Sequence, residues 1–381
     1  MNDLDKLCKA PSGPLTLDQI MSRCNSYGMA WDLNGVKIGM IIAGALLLAL
    51  LVLLDRWNEE EDDPDNPGKK RGIGAPTIVF NVIEGLVYGA LAVWAGSSAG
   101  LILALMLSPQ CLGVLLIVFA AIALLMMIAA LSKGTGGNKG LGAFCFIGLM
   151  VALVGAGLFA FQVPSTGRAA DPYGTYLTVM TIFFALSAWV GAWITTIYRG
   201  YHWALGWLLV PLNASWGLLG NVLGLMNHFA SGFFFPDSGG VTDRRLLYVL
   251  YKNGFHLKAG YDFSLGDAMS SNQIEKHEAT HVVQHFLFGP IFPISYAVWA
   301  VAMFIPGMIA GAIADKRDVG TGITDFCYYN CPWEQIAYAI EGTDNDGEDC
   351  LIFNKVVGWI VNILFVLVST VLAIWYINSR S

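Results

Sequence analysis

The chain has 381 residues, 56% of them hydrophobic and 13% charged, with a formal net charge of −7. Soluble domains carry about 25% charged residues, so the composition excludes an ordinary soluble protein and points to a membrane protein. An acidic balance without a basic patch argues against a nucleic-acid partner.

Residues 1–36 form a polar N-terminal tail. The first apolar run begins near Lys37, too far along for a cleavable signal, so the first span is expected to be its own targeting segment. Apolar runs of spanning length cover 37–54, 76–96, 111–132, 141–163, 174–197, 203–226 and 356–377, about seven spans in lipid. Residues 97–110 read as a kinked extension or a short interfacial piece ending at Pro109. The charged stretch 55–74, "DRWNEEEDDPDNPGKKRGIG", reads as a solvated linker. "SKGTGGNKG" (132–140) lacks the order of a phosphate loop and reads as a flexible turn.

Lys and Arg in short loops set the orientation. With the N-terminus outside, the inner segments carry Arg56, Lys69, Lys70, Arg71, Lys133, Lys139, Arg199 and Arg380; the outer ones carry Lys6, Lys9, Arg23 and Arg168. That count favours N-out. Six crossings before residue 228 then place the following polar region outside. Cys111 and Cys145 lie in apolar runs and read as packing residues. Cys8, Cys24, Cys327, Cys331 and Cys350 lie in polar segments, and a disulfide among Cys327, Cys331 and Cys350 is expected on an oxidising side. Glu84 sits within the second span. An intramembrane carboxylate is costly, so it stands as a functional candidate beside a bundle-packing role. The pairs Gly220/Gly224 and Gly307/Gly311 permit close helix approach.

Residues 228–290 change character. Positions 255–265 alternate apolar and polar side chains, a strand pattern, and Asn253-Gly254 before them signals a hairpin. Asn272 with Glu275 reads as a capping box, and Gly289-Pro290 as the helix stop. The helix between them carries "HEATHVVQHFLF". His277 and His281 are one turn apart on one face and can share a zinc ion, with Glu278 able to reach a metal-bound water as general base. A third ligand is open among Glu334, Glu341, Asp344, Asp349 and His285. Glu334 in "CPWEQIAYAIEG" is favoured because Ala337, one turn on, lets its helix lie close. His285, a further turn along, is expected in an outer shell or at the helix end. The segment 291–314 lies between these ligands, so it is expected to be re-entrant, interfacial or a hairpin, broken at Pro293 and Pro306-Gly307.

The order strand, "HEATHVVQ", Gly289-Pro290, apolar helix and "WEQIAYA", with "LNASWGLLGNVLGLMNHF" upstream, resembles a largely uncharacterised group of bacterial membrane-associated HExxH proteins of gluzincin-like pattern. The resemblance covers about 201–341. It implies His277, His281 and Glu334 as zinc ligands and Glu278 as base, with Gln284 at a family position of unassigned role. The fold class expected is a polytopic α-helical membrane protein with a small α+β, zincin-like metal-site region. Its parts are a bundle at 37–202, the metal-site region at 203–355 and a C-terminal span at 356–381. The expected function is an integral-membrane zinc metalloprotease acting on a peptide or protein substrate. His256, Tyr328, Tyr329 and Tyr338 are candidate oxyanion stabilisers. The expected location is a bacterial inner membrane with the site on the periplasmic side. A non-enzymatic scaffold or assembly factor with a structural or decayed zinc site is the alternative. A transporter using Glu84 is third, weakened by the lack of an internal repeat. Membrane lipid is an expected partner; the oligomeric state is left open.

Overall fold

The computed structural model describes residues 33–133, 139–163, 170–198, 209–234, 241–244, 248–251, 262–271, 275–313 and 318–342, and positions 18, 19, 22 and 367 singly. The C-terminal span 356–377, the Asn253-Gly254 turn, His256, Asn272, Asp344, Asp349, Cys8, Cys24 and Cys350 lie outside the described residues.

The helices α1 (Leu33–Trp57), α2 (Ala75–Met106), α3 (Pro109–Lys133), α4 (Lys139–Gln162) and α5 (Ala170–Tyr198) form the bundle. Each contains a stretch long and apolar enough to cross a membrane, where a helix satisfies its own backbone polar groups. Residues 97–106 simply continue α2, which runs 32 residues. Pro109 then enforces the break, because it lacks an amide donor and disfavours a helical residue before it. Helices α1, α2 and α5 pack through small residues. A side chain on Gly89 would strike the Gly44 carbonyl, and one on Gly96 would overlap Ala188. Trp189 Nε1 closes this seam by donating to the Gly44 carbonyl at 2.8 Å. The charged stretch 55–74 is more than a linker: β1 (Glu60–Asp62) pairs with β2 (Lys70–Gly72), and Lys70 Nζ lies 2.7 Å from Asp62 Oδ1.

Of the expected sixth crossing at 203–226, residues 209–226 are described. Within its described part, a turn at 214–217 separates a short helical piece from α6 (Leu218–His228). Helix α6 itself is 11 residues long. The segment is rich in polar groups: Asn213 precedes the turn, Ser215 lies in it, and α6 buries Asn221, Asn227 and His228. A π-helical turn, Phe229–Phe233, follows.

Strands β3 (Val241–Arg244), β4 (Val249–Tyr251), β5 (Phe263–Leu265) and β6 (Ala268–Ser270) form a sheet of order β3-β4-β6-β5. Only β4 and β6 are parallel. Of the alternating run 255–265, β5 is the described strand. The tight β5–β6 turn requires Gly266, whose φ is +58° and which touches the Gly220 carbonyl. Helix α7 (Glu275–Phe288) packs on β5 and β6. It ends at Gly289, φ +51°, beneath Trp216.

Helix α8 (Ile291–Ile313) passes unbroken through Pro306, so neither proline interrupts it. The chain returns beside it through α9 (Val319–Thr324), a π-helical turn (Asp325–Tyr329) and α10 (Pro332–Glu341). Asp318 caps α9 by accepting from the Thr321 amide at 2.6 Å. Gly307 and Gly311 of α8 lie against Gly322, Asp318 and Val319, so the expected close approach is made within this hairpin. The hairpin reconciles a spanning-length helix with ligands on both of its flanks, since the return arm brings Glu334 back to the starting end.

The metal-site region sits on one end of the bundle. Phe229 and Phe234 pack on Phe146 near the start of α4, and α6 packs against Ser187–Ala192 near the end of α5. In an alternating bundle these are the same end, the one that also carries β1–β2, Lys133 and Lys139.

Candidate metal centre

Helix α7 presents His277 and His281 on one face, with ring centroids 4.8 Å apart. Glu334, in the first turn of α10, meets them: its Oε2 is 3.0 Å from His277 Nε2 and 3.3 Å from His281 Nε2. The two Nε2 atoms are 3.1 Å apart. These three side chains form the one described cluster of His, Cys, Asp or Glu residues able to hold a metal ion. A tetrahedral zinc ion with ligands at about 2.0–2.2 Å needs its donors about 3.3 Å apart, so the triangle fits. Two imidazole nitrogens and a carboxylate oxygen packed this closely, away from water, repel unless a cation or proton lies among them.

The electrostatics agree. Burial disfavours the charged form of both partners, yet the Glu334 carboxylate lifts His281 to about 9, and the two histidines hold Glu334 far below the ordinary carboxylate range. Glu278 is only 2% exposed, and burial pushes its carboxyl up to about 8, with the Glu334 charge adding to the effect. Its Oε2 has no hydrogen-bond partner, and neither has His277 Nδ1. A buried carboxylate oxygen without a partner, beside a cation-ready triangle, suits a water held there.

Gln284 gains a role the sequence left unassigned. Its Oε1 lies 2.8 Å from His281 Nδ1 and its Nε2 donates to the Trp333 carbonyl at 3.2 Å. Accepting from Nδ1 leaves the Nε2 lone pair of His281 facing Glu334. The same amide ties α7 to α10. Tyr296 of α8, absent from the sequence reading, donates to Glu334 Oε1 at 2.8 Å. No motif signals it, because 38 residues separate the partners.

The other candidates sort by position. Tyr338 packs against His277 with ring centroids 4.2 Å apart, and Tyr329 contacts both Tyr328, edge to face, and Tyr338, tilted. Glu341 Oε2 is 3.7 Å from His277 Nδ1, on the side away from the triangle. His285 points the other way, onto Gly217 of the turn and Gly220 of α6, so Gly220 serves helix approach as expected. Glu84 is on α2, where the nearest charge acting on it is Arg56 of α1; it takes no part in the centre. Among the described residues Cys327 and Cys331 are free thiols and are not joined to each other; Cys350, the third member of the expected set, lies outside them. Cys327 faces the Ala300 carbonyl on α8, at 3.3 Å, whereas Cys331 is fully buried at the start of α10. The intervening π-helical turn sends the two in different directions. A second buried polar group, unforeseen, joins α6 to the sheet: His228 Nδ1 lies 2.6 Å from Tyr251 Oη and its Nε2 3.3 Å from Asp267 Oδ1.

Compared with known proteins, the chain matches no family model, no curated protein and no solved structure. The centre is therefore read from its own geometry.

Proposed function

We propose that this chain is an integral-membrane zinc-dependent hydrolase that cuts peptide bonds. The observation that carries the reading is the triangle of His277, His281 and Glu334 with the unpartnered Oε2 of Glu278 beside it. Zinc, when bound, would acidify a water and polarise a substrate carbonyl. Glu278 would take the water's proton at Oε2 and return it to the leaving amine. Tyr338, whose ring packs directly on His277, is a better candidate than Tyr329 to donate to a developing oxyanion. Among the described strands β5 is at the sheet edge beside α7, where an extended peptide could add as a further strand.

For the side of the membrane we propose the cytoplasmic face in place of the periplasmic one. Phe229 and Phe234 pack near the start of α4, at the bundle end that carries Lys69, Lys70, Arg71, Lys133 and Lys139, and by the positive-inside rule that end would face the cytoplasm.

A structural zinc centre in a scaffold protein is the second reading. It is favoured by closure of the site: His277, Glu278, His281 and Glu334 are 0, 2, 7 and 3% exposed. Elemental analysis and a fluorogenic peptide library separate the two. Under the hydrolase reading, wild type carries zinc and cuts peptides, His277→Ala loses the metal, and Glu278→Gln keeps the metal while losing cleavage. Zinc without cleavage in wild type selects the scaffold. Wild type that takes up no zinc sinks both.

A further inference from the structure

Glu334 uses its two oxygens differently. Oε2 faces both histidines, whereas Oε1 is turned away and accepts the Tyr296 hydroxyl at 2.8 Å. We infer that Tyr296 is a positioning residue that keeps Glu334 a one-oxygen ligand and so reserves a coordination position for water. The inference rests on His277, His281 and Glu334 being ligands.

A carboxylate beside a metal can bind through one oxygen or two, and the second oxygen occupies a place that water would otherwise take. A zinc centre that does chemistry keeps an open position, while a structural one is closed. The single difference needed between those states here is a rotation of the Glu334 carboxylate, and the Tyr296 hydroxyl opposes it. Tyr296 is itself held, because the start of α8 is docked on α10 by Trp333 Nε1 donating to Ser295 Oγ at 2.9 Å. One turn on, Trp299 Nε1 donates to the Phe326 carbonyl at 3.0 Å. The hydroxyl thus approaches Glu334 from a fixed frame. It also makes α8, whose outer face is apolar and exposed at Val298, Val301 and Ile305, a structural part of the metal centre.

The test uses the full chain in detergent, loaded with Co²⁺ as a spectroscopic probe in place of zinc. The visible bands of Co²⁺ shift when an added anion such as azide replaces a bound water. Wild type should show that shift. Tyr296→Phe should lose it and show a zinc affinity changed by about 10–100-fold, the usual effect of losing a partner of a metal ligand. Cys327→Ala is the control. It removes a contact between α8 and its return arm, to the Ala300 carbonyl, without touching Glu334, Tyr296 or the Trp333–Ser295 bond, and should keep the wild-type response. Far-UV circular dichroism checks that each variant is folded. An unchanged anion response and affinity in Tyr296→Phe overturns the inference, as does an equal change in Cys327→Ala, which would make Tyr296 a packing residue only. Wild type that binds neither Co²⁺ nor zinc is a different failure: it removes the ligand assignment itself.

Discussion

At the residue scale, the side chains that hold the ligands decide as much as the ligands. Gln284 both orients the His281 ring and bonds α10. Gln284→Leu keeps the volume and removes both bonds. Its zinc affinity should fall by about 10–100-fold in competition with a chelating dye; an unchanged affinity would show that His281 needs no such partner. Glu278 supplies a pH signature. Burial holds its carboxyl protonated up to about 8, against an ordinary value of 4.5. Between those values the folded chain keeps a proton that the unfolded chain has released. Stability therefore falls as pH rises through that window. In chelator-treated protein, the thermal midpoint of wild type should drop relative to Glu278→Gln between about pH 5 and 8. Parallel curves for the two proteins would mean that Glu278 is hydrated. The motif "HEATH" made these residues visible in the sequence. Their partners Tyr296 and Trp333 were not, since nothing local to either segment encodes a bond made across a hairpin.

At the scale of elements, the α8 hairpin is what assembles the centre. From the level of the Tyr296–Glu334 bond to the Gly311–Asp318 contact is 15 residues of α8, about 22 Å at 1.5 Å per residue. The return arm covers that distance and delivers Glu334 because two glycines let the backbones meet. A side chain on Gly311 would lie 2.7 Å from the Asp318 carbonyl and 2.9 Å from Val319 Cα. Gly311→Leu should therefore part the arms, destabilise the fold by roughly 1–3 kcal/mol as overpacking does, and lower the zinc content. Gly155→Ala, on α4 in open space, should retain both; thermal unfolding and elemental analysis read the pair. If Gly311→Leu holds zinc as wild type does, the hairpin is not what positions Glu334. The glycine spacing was legible as a packing device, but its partner was not, because a small residue advertises space without saying what fills it.

At the scale of the whole molecule, the prediction concerns sides. Lys276 is exposed on the metal-site helix, Lys69 lies in the β1–β2 hairpin, and Ser108 joins α2 to α3 at the opposite bundle end. Single cysteines at these positions, in a background without native thiols, should react with an impermeant reagent as two groups. Lys276→Cys and Lys69→Cys should be reached from the cytoplasmic face, and Ser108→Cys from the other. Labelling of Lys276→Cys together with Ser108→Cys would return the centre to the outer side.

The sequence by itself determined a helical membrane protein, the positions of α1 to α5, and the two-histidine helix. Runs of apolar residues and an i, i+4 spacing are local patterns, and the physics of lipid and of the helix acts on them locally. It did not show that Asn213 and Asn221, within the apolar run 203–226, and Asn227 and His228 just after it are buried against protein. Tertiary structure alone decided that α8 and its return arm form a hairpin. It alone gave Glu334 its partner Tyr296. Each of these depends on contacts between segments far apart in the chain, and a residue's type limits such contacts without choosing among them.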